Sequence, residues 1–275
     1  MDLRGARALV TGASSGIGAT TAQVLAAEGV VLALCGRRAA VLERLAEDIT
    51  ASGAPRPVVF SVDLADRGAA ADLGVRASDA LGGVDILVNS AGAFATGSAA
   101  GDDAPERDLF ETNYWAPMAL TRTLLPGMLR QGRGAVANLT SIATVTPLPS
   151  MGCYPASKAA LATATEALRI ELEGSGVNVV LVFLGSVKTP MHEQASQPYG
   201  TALRWMPLGR PQEAARLIVA AIRQERATVI YPRSVATIRW LPTISSWVSS
   251  RLMLPLLLGR GQHKSSHLPK SDILG

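Results

Sequence analysis

Aromatic side chains make up only 4% of this 275-residue chain, charged ones only 17%, and cysteine occurs twice. Cys35 and Cys153 stand far apart with no Cys-x-x-Cys spacing, and His192, His263 and His267 form neither a His-Glu-x-x-His motif nor a Cys/His cluster, so the sequence indicates no metal site. A basic stripe interleaved with aromatics is also missing. Seven Lys and Arg fall from Arg226 onward against one acid, Asp272, which leaves a body of 19 basic and 21 acidic side chains. So balanced a body has no electrostatic footprint for nucleic acid. Met1 leads within a few residues into the apolar run Ala6 to Val10, without a charged n-region, a long apolar h-region or a small-residue cleavage site, so the expected compartment is the cytoplasm. What is present is apolar: 48% hydrophobic residues exclude disorder for the body, and the length suits one large α/β domain.

Short apolar runs alternate with amphipathic segments. The runs are Ala8 to Val10, Val30 to Leu34, Pro57 to Val62, Asp85 to Val88, Gly134 to Leu139 and Val177 to Phe183. Helical spacing marks Gly18 to Glu28, Ala40 to Ser52, Glu106 to Leu129 and Ala156 to Glu173. Strands that are apolar throughout are covered on both faces, and their alternation with helices implies parallel crossovers. The pattern predicts an α/β fold, a doubly wound parallel sheet of Rossmann type, in which ligands sit beyond the carboxyl ends of the strands. The rhythm stops after Pro232. Residues 1–232 are therefore read as the dinucleotide-binding catalytic domain and 233–275 as a basic, amphipathic extension.

Directly after the first run stands Thr11-Gly12-Ala13-Ser14-Ser15-Gly16-Ile17-Gly18. Glycines at Gly12, Gly16 and Gly18 permit a tight turn, and with Ser14, Ser15 and Ile17 they bring backbone N–H groups and a helix N-terminus to a pyrophosphate. Such a loop alone can be only a turn; the order strand, loop, helix strengthens it. At the end of the second run, Leu34-Cys35-Gly36-Arg37-Arg38 offers no acid for ribose hydroxyls but two guanidinium groups, which suit a 2′-phosphate, so NADP(H) is the expected cofactor. The competing reading makes Arg37 and Arg38 ordinary solvated charges. Asp63 and Leu64 at the third strand end, and Asn89, Ala91 and Gly92 at the fourth, fit the same ligand, although Asp and Asn frequent strand ends as turn formers.

Tyr154 and Lys158 are spaced to share one helix face. A phenol of pKa about 10 needs about 4 kcal/mol of differential stabilisation to fall by ~3 units, which Lys158 and a positively charged nicotinamide could largely supply. The pair also occurs by accident on helix surfaces. Ser141, thirteen residues before Tyr154, can donate to a developing oxyanion from the same sheet edge.

With these residues in this order the chain resembles the classical short-chain dehydrogenase/reductase family over residues 3 to about 230. The resemblance implies that Tyr154 is the general acid/base, that Ser141 orients the substrate oxygen, and that Lys158 holds the nicotinamide ribose and lowers the tyrosine pKa. It implies that Asn113 anchors a water on the proton path, that Val187 and Thr189 contact the carboxamide, and that the reaction is hydride exchange between NADP(H) and a carbonyl or secondary alcohol carbon. It further associates NADP with reduction, and pairs the two long helices across a homodimer or homotetramer. Two positions depart from the family pattern: Ser90 stands where a second Asn is common, and Leu184 replaces the proline usual before Gly185. A nucleotide-sugar epimerase or dehydratase also uses Tyr-x-x-x-Lys, but with a different glycine loop and a longer substrate domain; a non-catalytic NADP(H)-binding regulator usually loses part of the Ser/Tyr/Lys set.

Met191 to Pro207 occupies the place of a substrate loop, and its Met, Tyr and Trp residues suit an apolar small-molecule substrate as well as ordinary packing. Between Arg239 and Leu258, Trp240, Leu241, Ile244, Trp247, Val248 and Leu252 recur at helical spacing opposite four serines. Arg251 and Pro255 break this run too early for it to span a bilayer. It suits a helix packed over the pocket or a neighbouring subunit, or else peripheral contact with an anionic membrane surface.

Overall fold

The computed structural model of the chain describes residues 1–96, 104–145, 151–196 and 207–236. Seven strands build one sheet: β1 (Arg7–Thr11), β2 (Val31–Gly36), β3 (Val58–Ser61), β4 (Ile86–Asn89), β5 (Gly134–Ser141), β6 (Val177–Leu184) and β7 (Thr228–Tyr231). All are parallel, in the order β3-β2-β1-β4-β5-β6-β7. Order reverses between β1 and β4, which places the ligand crevice at their carboxyl ends. Six strands coincide with the apolar runs. The seventh, β7, is a four-residue edge strand whose short run carries no pattern distinguishable from a loop.

The helices are α1 (Gly16–Ala27), α2 (Ala39–Ala51), α3 (Ala69–Leu81), α4 (Ala104–Phe110), α5 (Ala116–Gln131), α6 (Cys153–Glu171), α7 (Pro190–Ser196) and α8 (Pro211–Arg223). Alternate strand residues feed two cores. Ala8, Val10, Leu32 and Leu34 pack with Leu25 of α1, Leu42 of α2 and Ile218 of α8. Leu9, Ala33, Cys35 and Leu87 point the other way, against Leu73 of α3, Leu120 of α5 and Leu168 of α6. Each buried leucine contributes ~1.5–3 kcal/mol, so this two-sided burial supplies the main driving force for the sheet.

The structure adds two details to these expectations. The stretch Glu106 to Leu129 is helical throughout, with a π-helical turn, Glu111–Trp115, inserted between α4 and α5. One extra residue per turn leaves no mark on a hydrophobic pattern, yet it turns Asn113 fully inward. Just past Pro232, Val235 of the 3-10 turn Arg233–Val235 is buried beside Gly185. The amphipathic stretch 239–258 and residues 197–206 of the substrate loop lie outside the described residues. No helix among the described residues is long and apolar enough to cross a membrane.

At the amino edge of the sheet, Asp85 is 1% exposed and accepts from Arg7 three times: from its backbone N at 2.9 Å and from Nε and Nη2 at 2.8 Å each. Burial alone would raise the Asp85 pKa, but these hydrogen bonds and charges prevail and hold it below the ordinary carboxylate value.

Candidate active site

The glycine loop joins β1 to α1, and its geometry explains its composition. Gly12 has φ +67°, and a Cβ there would lie 2.7 Å from the Ala91 nitrogen, so the loop presses against the end of β4. Thr11 welds the two strand ends from beneath: its hydroxyl accepts from the Ser90 and Ala91 N–H groups, each at 3.1 Å, and donates to the Val88 carbonyl at 3.4 Å. The N-cap residue of α1, Ser15, makes no side-chain cap hydrogen bond, and the first turn contains no acid. Uncapped N–H groups at a positive helix end fit a pyrophosphate.

Beside the loop, Arg38 donates through Nη2 to the Ser14 carbonyl at 2.9 Å and to the Ser14 hydroxyl at 3.1 Å. Arg37 is largely exposed and faces Asp63 across a loose 3.7 Å ion pair. Asp63 uses its other oxygen to accept from the Ala65 N–H at 3.1 Å, a turn-forming bond. Two guanidinium groups and the Ser14 hydroxyl therefore bracket the end of β2, where a dinucleotide's adenosine ribose would lie.

Several expected cofactor contacts also have partners within the protein. Leu64 is buried in the core with Phe60 and Leu73, so only its main chain can serve a ligand. The Asn89 side chain is 1% exposed and directed into the sheet: it donates to Asn138 at 2.7 Å, Asn138 donates to Thr165 at 2.9 Å, and Thr165 donates to the Leu161 carbonyl at 2.6 Å. This buried relay ties β4 and β5 to α6, and Asn89 is thereby a positioning residue. Val187 is buried beside Ala214 and Tyr231. The Thr189 hydroxyl caps α7, accepting from the His192 N–H at 3.2 Å, while its methyl backs onto Gly16. The absent proline at 184 is offset by strand pairing: Leu184 is in register with Tyr231, and the Gly185 N–H donates to the Tyr231 carbonyl at 2.8 Å.

Tyr154 lies in the first turn of α6, and Lys158 is one turn later, 5% exposed, with Nζ donating to the Leu139 carbonyl at 3.0 Å. Burial raises the Tyr154 hydroxyl above its ordinary value, and a hydrogen bond with Ser141 lowers it by less. Burial brings Lys158 down to about 8. Without a bound dinucleotide the protein's own groups favour a neutral phenol, because desolvation acts on both side chains and the Lys158 ammonium donates to a carbonyl. Burial and Glu106 raise the adjacent Cys153 thiol to about 11, so it is no nucleophile near neutrality.

The Asn113 side chain is a clamp. Its Oδ1 accepts from the Ala93 N–H at 2.8 Å, and its Nδ2 donates to the Ala93 carbonyl and to the Ser157 hydroxyl, each at 3.0 Å. Ser157 in turn donates to the Tyr154 carbonyl at 2.8 Å. Both Nδ2 hydrogens are engaged, so a water on the proton path would have to use Oδ1 or the main chain. Thr11, Asn138, Ser157 and Thr165 make structural hydrogen bonds that sequence reasoning did not assign; a polar residue inside an apolar run, as at Asn138, is the one available signal.

Similarity to known proteins agrees with this geometry. Residues 6–200 match the family described as short chain dehydrogenase. The chain is 34% identical over 278 aligned positions to the dehydrogenase/reductase SDR family member 7B of Bos taurus, covering 96% of this chain and 85% of the relative. It is 31% identical to the ketoacyl reductase HetN of Nostoc, covering 86% and 81%. Among solved structures, L-sorbose reductase from Gluconobacter frateurii, complexed with NADPH and L-sorbose, superposes with a TM-score of 0.75 at 27% identity, covering 84% of this chain and 97% of the other. A glycine cradle against β4, a Ser/Tyr/Lys set at the same sheet edge and these likenesses converge: the chain is an oxidoreductase that belongs to the short-chain dehydrogenase family.

Proposed function

We propose that this oxidoreductase is an NADPH-dependent reductase of apolar ketones, with Ser141, Tyr154 and Lys158 as its catalytic residues and Asn113 as the clamp that positions them. The observation that carries the reading is geometric: Tyr154 stands one turn before the buried Lys158 on α6, at the same sheet edge as Ser141 at the end of β5 and the glycine cradle, and burial favours its neutral phenol. A neutral phenol is the form needed to protonate a carbonyl oxygen. NADPH, when bound, supplies the hydride to the carbonyl carbon. Tyr154 delivers the proton to the oxygen, and Ser141 donates a second hydrogen bond to the same atom as its charge develops. Lys158, a cation at the floor of the site, supports a ribose hydroxyl and biases Tyr154 electrostatically.

Preference for NADP over NAD is supported by Arg38 on the glycine loop, by Arg37 beside it, and by the missing acid at the end of β2. The NADPH bound by the sorbose reductase is consistent with that reading. An apolar substrate is supported by Phe94 against Tyr154 and by the Met191 methyl packed on Gly92. The 239–258 stretch is proposed to cover the substrate site or to touch an anionic membrane surface; liposome co-sedimentation of the full chain against one ending at Ala236 separates the two. A homodimer or homotetramer through α5 and α6 accords with Trp115, Leu129 and Ile170, which are exposed on or beside those helices.

The decisive experiment follows NADPH consumption against a panel of ketones with the parent and with Tyr154→Phe. Loss of the general acid lowers kcat by about 10²–10⁴-fold. Turnover by Tyr154→Phe at the parental rate overturns the proposed chemistry.

A further inference from the structure

Phe94 lies two residues past Gly92 and meets Tyr154 edge-on, with ring centroids 5.2 Å apart and planes at 65°. It is only partly buried, so core packing does not account for an aromatic there. The main chain that presents it is held from two sides. Asn113 grips both the N–H and the carbonyl of Ala93. From the other side, Gln194 Nε2 reaches the Phe94 carbonyl at 3.5 Å.

Gln194 belongs to α7, and three residues earlier on the same helix face Met191 packs its methyl on Gly92, where a Cβ would lie only 3.3 Å away. At its N-terminus α7 is capped by Thr189, whose methyl would stand 3.0 Å from a Cβ at Gly16. A continuous set of contacts therefore runs from the glycine loop, through Thr189 and α7, to the ring that touches the proton donor.

Building on the reductase reading, we propose that Phe94 is a positioning and specificity-determining residue. Its ring fixes the orientation of Tyr154 and walls one side of the substrate carbonyl against water and bulky groups, and α7 sets that ring through Gln194 and Met191. An edge-on pair of this kind rigidifies Tyr154 because rotation of either ring loses the contact of positive edge with negative face. The exposed side of the Phe94 ring is left to meet an apolar substituent.

The test compares Phe94→Ala, Phe94→Leu and Gln194→Ala in the full-length protein with two readouts. The first is the near-ultraviolet phenolate titration of Tyr154, isolated by subtracting the matching Tyr154→Phe protein. Phe94→Ala admits water to the hydroxyl and moves its ionisation to lower pH; Gln194→Ala moves it the same way by less, with NADPH affinity from nucleotide fluorescence unchanged.

The second readout is steady-state kinetics on ketones of increasing bulk. Phe94→Ala lowers kcat about two- to tenfold on all of them, the range that loss of an aromatic pair predicts, and lowers KM selectively for the bulkiest. Phe94→Leu restores the size discrimination without restoring kcat. The proposal is overturned if Phe94→Ala leaves both the Tyr154 titration and the size ranking as in the parent. Should Phe94→Ala fail to fold, Phe94→Leu and Gln194→Ala decide the matter by the same criteria. If the parent reduces no ketone at all, the reductase reading fails, while the titration still decides whether Phe94 controls Tyr154.

Discussion

At the amino edge of the sheet the buried charge is Asp85, 1% exposed and met by three hydrogen bonds from Arg7; at the carboxyl edge it is Lys158, 5% exposed and met by the Leu139 carbonyl. The first is neutralised in place, so its carboxyl stays below the ordinary range. The second carries its desolvation openly and falls to about 8. The same carboxyl edge leaves the Asn89 Oδ1 buried without a protein partner. One edge is arranged for stability and the other tolerates a cost, because a cation tightly paired with a carboxylate would have less influence on Tyr154 and on a ligand.

Breaking the stable edge has the largest expected effect. Arg7→Leu leaves the buried Asp85 with the backbone N–H of residue 7 and the distant Arg133 at 3.8 Å but no close cation, and should destabilise the protein by about 3–5 kcal/mol in urea titration, with kcat unaffected at low temperature. A loss below about 1 kcal/mol, the value of an exposed pair, would erase the contrast between the edges.

Relieving the costly edge works in the opposite direction. With Lys158 at about 8 in the folded chain and 10.5 as its ordinary value, its burial as an ammonium costs about 3 kcal/mol below pH 8. Lys158→Met should therefore raise Tm by several degrees at pH 7 while abolishing turnover. Between pH 8 and 10.5 the unfolded parent binds more protons than the folded one, so the parent gains stability with pH across that window. The variant should lack this gain, and the two denaturation midpoints should converge there.

The cofactor side gives a smaller effect. Arg37→Asp removes one guanidinium and sets a second carboxylate beside Asp63, so the ratio of kcat/KM for NADPH over NADH should fall about ten- to a hundredfold. Selectivity equal to the parent's would detach Arg37 from the 2′-phosphate. Smallest is the pH response near neutrality: kcat/KM for reduction should hold level up to pH 8 and decline above it, as Lys158 loses its proton while Tyr154, its pKa raised, keeps its own. A profile still level at pH 9 would place the lysine outside the proton chemistry.

Much of the fold was legible because two-sided burial makes parallel strands apolar throughout, as in Leu32 to Cys35, and the crossover helices carry the complementary stripe. Gly12, Tyr154 and Lys158 were legible because a close backbone approach and a one-turn spacing on a helix are local requirements written in adjacent residues. Asn113 was legible as a position but not in its action, since the π-helical turn and its bonds to Ala93 and Ser157 join segments 20 and 44 residues apart. The Asn89 side chain's bond to Asn138 was not legible for a related reason: an Asn at a strand end looks the same whether it faces a ligand or a neighbouring strand.

By itself, the amino-acid order determined the sheet, its crossover helices, the glycine turn and the one-turn spacing of Tyr154 and Lys158, all of which rest on periodicity and short-range spacing. Which side chains are paired and which are left exposed to desolvation was decided only by the tertiary structure. Arg7 with Asp85, Asn113 with Ser157 and Phe94 with Tyr154 are contacts between distant segments. The energy of a charge or hydrogen bond depends on the dielectric and the partners that folding assembles around it, and no local stretch of sequence contains either.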